Sequence, residues 1–329
     1  SIGFVARRHA SVVLLPSLLF AAPGAEPDCE AMQPQPSARK NYEAILRCLG
    51  SGARRVALQE DTFLLHRGIV LPEGSTLTGL TDRASEGMRY PRLKIAGPTA
   101  MTSYVVRTGN DTTLSFLTLD GAENLRGGTC CTTIISVMGG NSSVHDVEVL
   151  NTAVGAGIYF DGAAGPGNEF SRVRVHSCYY GVIFGHGLLA ETWNVFADSM
   201  IEDIACDAVT FAGYGELIRN IVRNSGFGCG RRTPVQPGSG IYCSGNLAGG
   251  VISQNTVYGH CAESLDVDTC ASFNISFNTF DRSGSSTADQ NHCAGATTVT
   301  LLDVRDLVFH GNSIINEHES SMLGQAPQK

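Results

Sequence analysis

Asp266 and Asp268 are two residues apart, and alternate residues of an extended strand share a face. Like charges so placed need a proton, an arginine or a cation to relieve them. Calcium takes several oxygen ligands, and Asp161 or Ser244 can add to this pair, so Asp266 and Asp268 are the candidate metal ligands and Ca2+ the candidate cofactor. Asp161, His186 and Tyr242 are the side chains best suited to proton transfer. Arg231 and Arg232 lie in a loop, Gly226 to Ser239, where they can neutralise a substrate carboxylate so that a neighbouring C–H proton becomes acidic. We take Asp161, His186, Tyr242 and Arg231 as candidate catalytic residues. Tyr159, Thr210, Ser244 and Arg232 are the candidate substrate-binding residues. A hydrolytic pair of carboxylates can also be drawn between Asp161 and Asp207 or Asp266.

What must position these residues is a repeat. Gly157-Ile158-Tyr159-Phe160-Asp161, Gly181-Val182-Ile183-Phe184-Gly185, Ala208-Val209-Thr210-Phe211-Ala212, Gly240-Ile241-Tyr242-Cys243-Ser244 and Ser264-Leu265-Asp266-Val267-Asp268 align in one phase. Strict alternation predicts strands, and recurrence at about 25 residues predicts a solenoid. Ile158, Val182, Val209, Ile241 and Leu265 then point inward, with Phe160, Phe184, Phe211, Cys243 and Val267. The outward ladder is Tyr159, Ile183, Thr210, Tyr242 and Asp266, which puts the candidate residues on one surface.

The repeat, with the strand–turn–strand pattern of residues 55–80 and the Asn-centred turns around Asn220, Asn255 and Asn274, resembles the right-handed parallel β-helix superfamily of pectin lyase-like proteins over residues 54–316. The implied fold is all-β: a single-stranded right-handed parallel β-helix of roughly nine to ten coils with a short N-terminal capping helix. Tyr159-Phe160-Asp161 resembles part of the Tyr-Gly-Phe-Asp-Pro-His signature of alginate C5-epimerases. Gly162 and Ala163 stand where that signature has proline and histidine, Ile158 where it has tyrosine, and His186 one coil on is the visible substitute. Gly185-His186-Gly187 resembles an element of polygalacturonase-type hydrolases, whose adjacent aspartate pair this chain lacks. The resemblance implies lyase or C5-epimerase chemistry on a uronate-containing extracellular or cell-wall polysaccharide. Two readings stand beside it, a non-catalytic glycan-binding or cell-surface solenoid and a hydrolase.

Along the 329 residues, 1–25 run basic, apolar and small in the order of a secretory signal. Residues 26–53 form a linker and a cap helix, with Ser37 as its N-cap and Gly50 beyond its end; residues 317–329 are a polar tail. Eleven cysteines suit an oxidising, extracellular location. Cys29 with Cys48 and Cys178 with Cys206 are placed to pair, and Cys229, Cys243, Cys270 and Cys293 offer further partners. Three N-glycosylation sequons begin at Asn110, Asn141 and Asn274. A net charge of −8 argues against a nucleic-acid partner, and no membrane span is expected once the signal is removed. The partner expected is a polysaccharide, bound by a monomer.

Overall fold

The computed structural model describes residues 29–52, 54–80, 90–96, 103–121, 133–228, 238–245, 248–281 and 297–315. The signal segment, Arg231, Arg232 and the tail therefore lie outside the described residues. The chain is a parallel β-helix with three faces. Face 1 is a nine-stranded parallel sheet running from Ile69–Val70 through Ala156–Phe160, Tyr180–Phe184, Val209–Phe211, Ile241–Ser244 and Leu265–Asp268 to Val299–Leu302. Faces 2 and 3 form a second sheet, fused because Thr113–Asp120, Ser143–Leu150 and Glu169–His176 run through both. Among the described residues no helix is long and apolar enough to cross a membrane.

The expected phase holds residue for residue. Ile158 pairs with Val182, Val182 with Val209, Val209 with Ile241 and Ile241 with Leu265. All five are fully buried. One position on, Phe160, Phe184 and Phe211 stack with ring centroids 4.9 Å apart, adding aromatic contact to apolar burial.

The turn between faces 2 and 3 is held by a buried amide ladder. Arg219, Gln254, Phe277 and Gly311 take positive φ of 55°, 59°, 56° and 64°, and each is followed by an asparagine. Nδ2 of Asn220 donates to Oδ1 of Asn255 at 3.1 Å, Asn255 to Asn278 at 3.0 Å, and Asn278 to Asn312 at 3.0 Å. Each Oδ1 also accepts the backbone N–H of the preceding asparagine, at 2.8 to 2.9 Å. A carboxamide carries donor and acceptor together, so it can stack on its own kind where a hydroxyl or a charge cannot do so as completely.

The cap helix, α1, spans Ala38–Gly50 with Ser37 as N-cap, one residue longer than expected because Ser51 closes it. The linker before it is not free. Met32 pairs with Leu58, donating to Ala57 O and accepting from Gln59 N, so it covers the exposed edge of the first coil. Cys29 and Cys48 are bridged, as are Cys243 and Cys270. Cys206 and Cys261 are each engaged in a disulfide as well, with partners other than one another. The expected Cys178–Cys206 bridge is not formed: Cys178 is a free, buried thiol. It occupies an inward core position, and burial holds its thiol up at about 12.

Asn255→Ala removes the acceptor of two donors and two donors of its own in a dry turn. Destabilisation of about 2–4 kcal/mol is expected, against less than about 0.5 kcal/mol for Asn274→Ala, whose side chain is exposed. Urea unfolding monitored by circular dichroism measures both, and equal midpoints for the two variants would refute the ladder's role.

Candidate functional site

The outward column of face 1 reads Arg107, Ser136, Tyr159, Ile183, Thr210, Tyr242, Asp266 and Thr300. It contains Tyr159, Thr210, Tyr242 and Asp266, all half-buried. Ser244 and Asp268 pair with each other in the neighbouring outward column. Asp161 and His186 lie on adjacent coils, just past their strands. The Asp161 carboxylate accepts the N–H of Ala163 at 3.0 Å, which ties it into its own turn. His186 is exposed, and its carbonyl is so close to Gly162 that a Cβ there would sit 1.7 Å from it. Proline at position 162 is therefore excluded by packing. Burial, then the Asp161 charge, raises the Tyr159 hydroxyl above its ordinary pKa.

These residues form two groups. Tyr242 is three coil steps from Tyr159, and Asp266 four, which is about 14 Å and 19 Å at a strand spacing of about 4.8 Å. One group is Tyr159, Asp161 and His186; the other gathers around Asp266.

The second group contains an acid cluster. Asp207, Ser239 and Glu263 stand in one column at the corner that leads into face 1, two residues before Val209, Ile241 and Leu265. Ser239 sits between the two acids: its backbone N–H donates to Asp207 Oδ1 at 2.8 Å and its hydroxyl to Glu263 Oε2 at 3.5 Å. Burial pushes the Asp207 carboxyl up to about 6, the Ser239 N–H opposing it and the Glu263 charge adding to it. Asp266 is likewise raised to about 6 by burial, then by Glu263, Asp268 and Asp207. The Tyr180 hydroxyl is raised as well, by burial and then by Asp207. Glu263 was not among the residues picked out from the sequence, and Asp207 only as a hydrolytic partner. Both follow cysteines that precede the aligned strands, and the alignment of those coils was the signal that locates them.

A carboxyl that keeps its proton near neutrality, beside others that have lost theirs, can deliver a proton to a leaving oxygen while a neighbour acts as base or nucleophile. Among the described residues no three acidic, imidazole or thiol groups converge as metal ligands do. A different buried pair, Ser225 Oγ to His260 Nδ1 at 2.7 Å, is sealed in the core, and burial lowers His260 to about 3. It packs the corner between faces 3 and 1.

Faces 2 and 3 treat charge differently. At their shared turn Arg172 grips Asp146 with two bonds of 2.9 Å, and Arg219 grips Asp198 with two of 2.7 Å. On face 3 Arg174 bridges Glu148 at 3.3 Å and Glu202 at 2.7 Å, and Arg223 also holds Glu202. A cleft of about 740 Å³ opens beside these pairs, lined by Tyr90, Arg92, Glu148, Arg172 and Arg174 among others. The partners are 21 to 28 residues apart in the chain, and the sequence reading did not find them.

The sequence matches no protein-family model, and no curated protein sequence matches it. Solved structures do match. The enzymatically active domain of tailspike protein 2 of bacteriophage CBA120 superimposes with a TM-score of 0.57 at 14% identity, over 82% of this chain and 39% of that one. The Dettilon tailspike protein gives 0.51 at 15% identity, over 83% and 57%. The A-module of the Azotobacter vinelandii mannuronan C-5 epimerase AlgE6 gives 0.58 at 13%, over 83% and 81%. The chain thus spans about two-fifths of the first tailspike. These likenesses show a shared parallel β-helix fold.

The acid cluster makes a signed prediction about stability. Folded Asp207 keeps its proton up to about 6, whereas an ordinary aspartate releases it near 3.8. Its contribution is therefore intact below pH 3.8 and lost as pH rises to about 6, by at most about 3 kcal/mol. His260 works oppositely, its contribution being lost as pH falls from 6.5 toward about 3, but it is common to wild type and variant. Asp207→Asn keeps an acceptor for Ser239 N–H and removes the charge. It is expected to raise the urea midpoint at pH 7 and to leave it unchanged at pH 4; identical midpoints at pH 7 would contradict the burial of this carboxylate.

Proposed function

We propose that this chain is a carbohydrate-active protein that cleaves a polysaccharide lying along face 1. Asp266 supplies the proton to the departing sugar oxygen, and another acid of the same cluster, Glu263 or Asp268, activates water or attacks the sugar. The observation that carries this reading is the acid cluster itself: on face 1 carboxylates accumulate over adjacent coils with Tyr242 beside them. Asp207 is the more enclosed carboxyl, and burial first, then the charges of Glu263 and Asp268, keep the proton on Asp266. An extended groove with a coil rise of about 4.8 Å presents successive outward side chains to successive sugar units. The epimerase and tailspike likenesses support a polysaccharide as the substrate class. Four acids repel a polyanion, so a neutral or weakly charged glycan fits the cluster best.

A second reading rests on the other group. Tyr159 and Asp161, with His186 one coil on, favour proton abstraction from a uronate, with Arg231 or Arg232 neutralising its carboxylate and calcium assisting at Asp266 and Asp268. An extracellular location, supported by the disulfides, belongs to both readings.

The test incubates the full chain with neutral and uronate polysaccharides, with calcium or with chelator. It follows reducing ends, ultraviolet absorbance of unsaturated product and exchange of the C5 proton. Reducing ends without unsaturation are expected, with kcat falling as pH rises through about 6. Asp266→Asn should lower kcat by about 10²-fold or more, with Asp161→Ala near wild type. Unsaturated product or proton exchange lost in Asp161→Ala would instead establish the second reading, and silence on every substrate would sink both.

A further inference from the structure

The cleft on face 3 lies apart from the acid cluster of face 1. It opens on the early coils, floored by Arg92, Thr118, Glu148 and Arg174 of one outward column. Its wall is Tyr90, Asp146 and Arg172. Tyr90 is 37% exposed. Its ring is buttressed edge-on by Phe116, with centroids 6.0 Å apart, and Phe116 by His145 at 5.5 Å. The Tyr90 hydroxyl also feels the charges of Asp146 and Arg172, so an aromatic face and an ion pair border the same space.

Each cation of the cleft has its counter-ion. Arg172 is doubly bonded to Asp146, Arg174 spans Glu148 and Glu202, and Arg92 meets Asp120 at 2.8 Å. No positive charge is left over to hold an anion. What remains is a rigid array of N–H donors and carboxylate lone pairs, fixed by their own pairing, so that a ligand meets side chains already ordered. Planar guanidinium and carboxylate groups engage two neighbouring hydroxyls at once, and an exposed aromatic ring offers a surface to the apolar side of a sugar ring. The volume falls inside the range of about 300–1,000 Å³ typical of small-ligand sites.

We infer that this cleft binds a neutral saccharide, as a site separate from the acid cluster of face 1. It holds its ligand without transforming it. A chain gripped there and cleaved on face 1 would be bound at two places, which raises the effective concentration at the second.

Titration calorimetry on the full chain tests this with cellohexaose, isomaltohexaose and mannohexaose as neutral probes and hexagalacturonate as the acidic one. At least one neutral hexamer is expected to bind. Tyr90→Ala and Arg172→Ala should each weaken it by about tenfold or more, with wild-type melting curves, since both side chains are exposed. Asp266→Asn should leave this affinity unchanged while abolishing cleavage, which separates failure of this inference from failure of the catalytic one. The inference is overturned if no neutral hexamer binds, if binding survives both cleft variants, or if it vanishes in Asp266→Asn. Tighter binding of hexagalacturonate with the same dependence on Tyr90 and Arg172 overturns the neutral class.

Discussion

Every side chain of a parallel β-helix sits about 4.8 Å below its counterpart in the next coil. This in-register stacking decides which residues each column tolerates. Apolar groups stack without penalty, as the Phe160–Phe184–Phe211 column shows. Carboxamides stack because each is both donor and acceptor, and the Asn220–Asn255–Asn278–Asn312 ladder satisfies a buried turn in this way. Carboxylates cannot do so. At the turn between faces 2 and 3 the chain answers by alternating sign, Asp146, Arg172, Asp198 and Arg219 following one another coil by coil, with the guanidiniums reaching across to the acids. Individually such exposed pairs are worth little; their value is that they allow charged columns to exist at all.

Face 1 departs from that solution. Asp207 and Glu263 share a column with only Ser239 between them, and Asp266 and Asp268 follow on the same coil as Glu263. Among the described residues no guanidinium is bonded to any of the four. The strain appears as two carboxyls that keep their protons to about 6. A chain that alternates charge on one part of its surface and accumulates it on another is accepting a cost at a defined place, and such places are where chemistry is found.

Much of face 1 was legible because its period-two pattern is strong and its aligned strands have similar lengths. The inward residues and the outward ladder follow from it directly; of the Asn-centred turns, those at Asn220 and Asn255 sit at the corner between faces 2 and 3, whereas Asn274 lies within the strand Phe273–Ser276 and the corner residue of that coil is Asn278. Cys29–Cys48 was legible for a local reason, a short loop closing a cap. Cys178–Cys206 was not, since similar placement in adjacent coils does not say where a thiol points; Cys178 faces the core. The charge pairs were hidden because their separations vary between 21 and 28 residues with coil length, and no local pattern marks them. The acid cluster was half visible. Asp266 and Asp268 stood out, whereas Asp207 and Glu263 precede the strands, at the corner where the period-two pattern no longer says which way a side chain points.

The first coil and the last described coil differ in what covers them among the described residues. Helix α1 and the Met32 bridge cover the first coil, whereas Leu302, Val308 and Ile315 in the last described coil are 57%, 50% and 41% exposed. Hydrogen bonds between coils run along the axis, so a pull in that direction loads the coils in series, like links, and the weakest opens first. A pull across the axis shares its load among all the bonds of a coil. Drag along a strand is therefore withstood far better than drag along the axis.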